Sequence, residues 1–234
     1  MFLTVRLRTA LLWTAAVCAL ALAALLWRSA ALPTMGSAEQ GRAVYVLDAG
    51  HGGEDGGALS ADGAKESEIN LAITLRLDAL LRLLGADIVL TRTEDVSIYS
   101  DGAETLRQKK ASDLKNRVAL VNETSNGVLV SIHQNSLPSS PRVRGAQVFF
   151  GGTEGSEALA RSVQSALNEC VNAADKSEKR IGPTIYLMKH VNRPAILVEC
   201  GFLSNADEAA LLRQPPHQRR LAVAIAAGLL NTEE

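Results

Sequence analysis

The sequence predicts an α/β domain of three layers: a six-stranded, mostly parallel sheet between helices, preceded by an N-terminal hydrophobic helix. Three observations carry this. Residues 43–50 (AVYVLDAG), 127–133 (GVLVSIH) and 193–202 (RPAILVECGF) are nearly unbroken apolar runs, as expected of strands covered on both faces. The stretches between them place apolar residues at helical spacing. Residues 10–27 are apolar except for Thr14, long enough to cross about 30 Å of hydrocarbon as a helix.

The elements follow in order. After the first strand, residues 66–84 carry Ile69, Ala72, Ile73, Leu75 or Leu77, Leu80 and Leu83 on one face, and Gly85 closes the helix. The next strand is ADIVLTR (86–92). A β-α-β unit so formed is parallel and right-handed. Residues 93–111 are polar and irregular. SDLKNRVALVNE (112–123) reads as a helix capped by Ser112 or Asp113. GVLVSIHQN (127–135) and GAQVFF (145–150) are strands. Residues 156–171 are an amphipathic helix with Leu159, Val163, Ala166, Leu167 and Cys170 on its apolar face. TIYLM (184–188) and 193–202 read as the last two strands. Asn205 and Glu208 suggest a capping box for a helix over 206–213, and 215–231 is the closing helix.

Arg6 and Arg8 precede the apolar run, which orients the N-terminus inwards and the remainder outside the cytoplasm. An uncleaved signal anchor is expected; a signal peptide cleaved after Ala38 is the alternative. The chain thus divides into anchor and linker over 1–36 and a catalytic domain over 37–234. Residues 1–36 hold three arginines and no acid, so the remainder carries a net charge of −4 out of a total of −1. That balance speaks against nucleic-acid binding. Three cysteines without a spacing pattern do not make a disulfide framework, and Cys170 and Cys200 are read as buried thiols.

The chemistry lies where the strands stop. His51 follows VYVLDAG, His133 ends GVLVSI, Glu199 follows AILV, and Glu66 opens a helix. In open α/β sheets, sites form at the carboxyl ends of strands. Three of these groups therefore meet only if their strands are parallel neighbours. Two imidazoles and one carboxylate make a Zn²⁺ set with one open position for water, and a second carboxylate handles protons. Glu199 is the strongest single signal, because an ionised carboxylate after AILV is costly unless paired or beside a metal. Taken alone, Glu66 is simply a favourable charge at a helix N-terminus. Glu68 is its rival, but lies about 200° around the helix, so only one of them faces the site. His190 and His217 sit in polar surroundings and are not expected to bind metal.

LDAGHGGEDGGA, Glu66 before INLAI, LVSIHQN and RPAILVECGFLSN together resemble the zinc-dependent N-acetylmuramoyl-L-alanine amidases over roughly residues 44–230. The resemblance implies a mixed six-stranded sheet flanked by helices and Zn²⁺ held by His51, Glu66 and His133. It further implies Glu199 as catalytic base, a substrate contact from Asn135, and peptidoglycan as substrate. The hydrophobic anchor, RQKKASDLKNR (107–117), IYLMK (185–189) and VECGFLSN resemble the spore-cortex branch of that family. That branch helps form muramic-δ-lactam, with a deacetylase acting next, and an accessory lipoprotein is a further expected partner. Ala49 departs from the family pattern, which commonly has proline there. Two rivals remain: another zinc peptidase acting on stem peptides, for which Arg117 and Arg193 are candidate carboxylate binders, and an inactive peptidoglycan-binding protein.

Overall fold

A computed structural model of the chain describes residues 41–182 and 184–231. The apolar run 10–27 and the boundary placed at residue 36 lie outside them. Among the described residues, no helix is long and apolar enough to cross a membrane.

The strands are β1 (Val44–Ala49), β2 (Asp87–Leu90), β3 (Gly127–Asn135), β4 (Gln147–Phe150), β5 (Lys179–Arg180) and β6 (Ala195–Phe202). They form one six-stranded sheet in the order β2-β1-β3-β6-β4-β5. β1 pairs in parallel with β2 and β3, and β3 with β6, while β4 runs antiparallel to β6. The sheet is thus mixed. The chain leaves β1 for β2 on one side and returns through β3 on the other. The carboxyl ends of β1 and β3 therefore flank the point where strand order reverses, the place where such sheets bind ligands.

The helices are α1 (Glu66–Leu83), α2 (Leu106–Glu123), α3 (Ser156–Cys170), α4 (Tyr186–His190), α5 (Ala206–Leu212) and α6 (Pro215–Leu230). Strand side chains alternate between two cores, as the period of two requires. Leu47, Val130, Ile132, Ile196 and Val198 pack with Ile73 and Leu77 of α1, Leu167 of α3 and Ile225 of α6. Val46, Leu129 and Leu197 face the smaller core with Val121 of α2 and Leu187 and Met188 of α4. Asp48, Ser131, His133 and Glu199 continue this second face towards the carboxyl ends, so the smaller core turns polar there.

Four expectations are corrected. TIYLM is not a strand: Tyr186–His190 is a short helix, and the fifth strand is the edge pair Lys179–Arg180, joined to Phe149 and Phe150. A five-residue apolar run does not distinguish helix from strand. Next, α2 starts at Leu106, not at 112, because Thr105 and Gln108 form a reciprocal capping box. Its buried stripe is Asp113, Arg117 and Val121, a mainly polar face that hydrophobic periodicity does not register. On α1 the buried face runs Ile69, Ile73, Leu77 and Leu81, whereas Leu83 is 82% exposed. Lastly, Cys170 is exposed, while Cys200 is buried as expected.

Candidate metal centre

β1 ends at Ala49, and a glycine-rich loop carries His51 over the end of the sheet. His51 has φ +63°, a left-handed conformation that costs a non-glycine residue on the order of 1–3 kcal/mol unless surroundings enforce it. Here they do. Arg117 donates to the carbonyls of Ala49 (2.9 Å) and His51 (2.8 Å). Arg92 donates to Ala49, Gly50 and Ser67 carbonyls. Two buried guanidinium groups thus tie the loop down.

Arg117 is 2% exposed and pairs with Asp48, 1% exposed, at 2.5 Å and with Asp113 at 2.8 Å. Asp48 also accepts from Thr91 and Ser131 hydroxyls. Burial opposes charge on Asp48, yet Arg117 and Ser131 outweigh it and hold the carboxyl below its ordinary range.

His133 lies at the far end of β3, directly opposite Glu199 of β6 in register, where the pairing shifts before Asn135. Such irregularities re-aim side chains at the ends of strands. Glu66 opens α1, which packs on the other face, and reaches over the carboxyl end of β3. It is 4% exposed. Its Oε2 accepts from the Ala58 amide, and its Oε1 from the Gln134 amide and the Asn70 side chain. Two glycines make room: a Cβ on Gly50 would strike the His133 ring, and one on Gly57 would lie 2.6 Å from Glu66 Oε2 and 2.8 Å from His51 Cδ2. Glu68, the rival carboxylate, is exposed and pairs with Lys65.

One atom each from His51, Glu66 and His133 lies within 4.8 Å of the others. His51 Nε2 is 3.3 Å and His133 Nδ1 2.8 Å from Glu66 Oε1. Burial alone would lower the proton affinity of His51, but hydrogen bonds to Asp55 and Glu66 raise it to about 9. Burial likewise opposes charge on Glu66, yet both imidazoles hold its carboxyl far below the usual range. The cluster therefore binds positive charge strongly, and its two imidazoles and carboxylate fit a divalent Zn²⁺. Glu199 sits alongside. Its Oε2 is buried without a hydrogen-bond partner, and burial above all raises its proton affinity to about 7.

These groups line a cleft of about 390 Å³ with Asn135, Lys110, Leu114, Ile185, Tyr186 and Leu187. Asp48, Asp55, Arg92 and the 184–187 wall were not singled out as site elements from the sequence, and Arg117 was considered only as a carboxylate binder, not as the buried support of the His51 loop. Asp48 carried a usable signal, a carboxylate inside an apolar strand, the same signal that marked Glu199. Neither arginine suggested for a peptidase's carboxylate pocket is placed for it. All five Arg117 N–H groups are engaged within the protein. Arg193 precedes β6, six residues and roughly 20 Å of extended chain before Glu199.

Fold and site together define a hydrolase class with a candidate metal centre at the carboxyl ends of the strands, and comparison with known proteins gives the family. Residues 46–231 match the Amidase_3 family, N-acetylmuramoyl-L-alanine amidase, to which this chain belongs. It is thus an N-acetylmuramoyl-L-alanine amidase acting on peptidoglycan. The germination-specific N-acetylmuramoyl-L-alanine amidase of Bacillus subtilis is 37% identical over 205 residues, 87% of this chain and 83% of that protein. The CwlD amidase of Clostridioides difficile, solved in complex with the GerS lipoprotein, superposes with a TM-score of 0.77 at 38% identity. The match covers 82% of this chain and 98% of that one. A second N-acetylmuramoyl-L-alanine amidase, from Clostridium difficile 630, gives 0.71 at 31% identity, covering 81% and 96%.

The two helix-start carboxylates should separate cleanly. Glu66→Gln is expected to lose more than about nine-tenths of bound zinc, since it would remove one of the three candidate ligands. Glu68→Gln should bind as wild type. Zinc content per protein by atomic absorption reads both; the reverse pattern would refute the placement of Glu66.

Proposed function

We propose that this amidase cleaves the bond between the lactyl group of N-acetylmuramic acid and the first L-alanine of the stem peptide in spore cortex. In this reading Zn²⁺ is held by His51, Glu66 and His133. The observation that carries it is the convergence of these three side chains from separate elements, with Glu199 unpaired beside them. Bound there, the cation would polarise the scissile carbonyl and lower the pKa of water towards about 7.

The chain's own groups supply the rest. Glu199 is the general base: it takes a proton from the attacking water and returns it to the leaving alanine nitrogen. Burial raises the proton affinity of Glu199, which favours its accepting that proton. Glu66 stays ionised under its two imidazoles. Asn135 offers its side-chain amide to the substrate from the cleft wall; its carbonyl oxygen already accepts from the Ser136 amide. Leu114, Ile185 and Leu187 give the cleft an apolar wall that shields the reacting amide from bulk water.

The cortex role rests on the germination-specific relative and on the CwlD likeness. Cleavage there would leave muramic acid without its peptide, ready for a deacetylase and δ-lactam closure. The complex of CwlD with GerS supports a lipoprotein as this chain's accessory partner. Arg6 and Arg8 before the apolar run support a domain anchored outside the cytoplasm, in a spore former between the two forespore membranes.

Digestion of defined muropeptides, followed by mass spectrometry, should yield intact glycan and peptides with a new N-terminal alanine. Glu199→Gln should retain zinc while hydrolysis falls by a factor on the order of 10²–10⁴. Release of C-terminal residues instead would refute the bond assignment, and loss of zinc would move Glu199 into the coordination shell.

A spore former lacking the gene should make cortex without muramic-δ-lactam. Complementation by the chain fused at Glu234 to alkaline phosphatase should restore the lactam and show phosphatase activity, which requires export. Normal lactam in the mutant would remove the cortex role, and an inactive but stable fusion would remove the location.

A further inference from the structure

Asp55 stands behind His51, outside the three-residue donor set. An imidazole has two nitrogens, and the partner of one decides whether the other presents a lone pair. His51 Nδ1 lies 2.9 Å from Asp55 Oδ2, and His51 Nε2 faces Glu66 Oε1 at 3.3 Å. With Nδ1–H donating to the carboxylate, Nε2 is the nitrogen left to give its lone pair to a metal on the side where Glu66 and His133 converge. The rings of His51 and His133 lie 5.0 Å apart at 74°, so rotation of either would break the convergence.

Asp55 is itself fixed. Its backbone exchanges two hydrogen bonds with Gly52, at 2.9 and 3.2 Å, closing a tight loop around His51. Its Oδ1 accepts from the Gly57 amide at 3.3 Å, and Lys110 of α2 reaches Oδ2 at 3.2 Å. Both oxygens therefore face donors. An asparagine there would turn its NH₂ towards one of them, either the Gly57 amide or the His51–Lys110 side.

We propose that Asp55 is the positioning residue of this centre. It holds His51 in the Nδ1–H tautomer and fixes the ring, so that Nε2 presents its lone pair beside Glu66 and His133. This rests on the reading of His51 as a metal ligand. Groups in this position raise ligand basicity and set ring orientation, and their loss typically weakens metal binding by about 10–100-fold.

The test uses the full-length chain in detergent. Zinc affinity is read by competition with a chromogenic chelator, for wild type, Asp55→Asn and His51→Ala. Asp55→Asn is expected to bind zinc about 10–100-fold more weakly. Its metal-free Tm should stay within about 2 °C of wild type, a margin that excludes general loosening of the loop. In the zinc-loaded protein, the proton NMR signal of a hydrogen-bonded His51 Nδ1–H should be present in wild type and lost in Asp55→Asn. Wild-type zinc affinity in Asp55→Asn, with His51→Ala depleted, would overturn the role of Asp55 and leave the metal reading intact. Weaker binding with a metal-free Tm that falls by more than about 2 °C would reduce Asp55 to a structural residue and overturn the proposal. Undiminished zinc in His51→Ala would overturn both.

Discussion

The site depends first on one buried cation. Arg117 enters from α2 beneath the loop that follows β1 and bonds Asp48, Asp113 and the carbonyls of Ala49 and His51. A guanidinium taken out of water is costly, and removing one partner of a buried pair typically costs about 3–5 kcal/mol. The arrangement is stable only as a whole: strand end, left-handed His51 and helix α2 must all be in place for the charge to be satisfied. That mutual requirement places a histidine with unfavourable backbone geometry in one position. The sheet then contributes register, since parallel pairing of β1, β3 and β6 brings His51, His133 and Glu199 to the same end.

The side chains that converge here were legible from the sequence because each follows or opens an apolar segment of obvious period. His133 and Glu199 end runs that only a buried strand explains, and their register across β3 and β6 follows from a parallel sheet. The support beneath them was not legible, for a physical reason. Arg117, Asp113 and the start of α2 belong to a helix whose buried stripe is polar, so hydrophobic periodicity reads that segment as surface or loop. The wall at 184–187 was misread because five apolar residues fit either period. A capping box at Thr105 and Gln108 was present in the sequence and marks the true start of α2; a carboxylate at Asp48, inside an apolar strand, asked for the very cation that α2 delivers.

Electrostatics divide the labour among four of the five acids that line one cleft. Glu66, beneath two imidazoles and three N–H donors, stays charged. Asp55 is held ionised chiefly by its hydrogen bond to His51, with Lys110 adding to it. Asp48 is neutralised by Arg117. Glu199 alone is buried with an oxygen that has no partner, and burial raises its proton affinity. In the proposed mechanism, carboxylates within one site would thus take structural, ligating and proton-transferring roles according to what surrounds them, the general rule for acid–base sites. The amidase family to which the chain belongs accounts for the reaction; the division among these acids is how this chain's residues would perform it.

The central claim is that His51, Glu66 and His133 hold one zinc ion, with Glu199 outside the coordination shell. Anomalous diffraction recorded on both sides of the zinc absorption edge, from crystals of the zinc-loaded protein, tests it most directly. One peak is expected, about 2.0–2.2 Å from a nitrogen of each histidine and from a Glu66 oxygen. A peak bonded to Glu199 in place of Glu66, or a zinc-loaded protein with no peak among these three side chains, would contradict it.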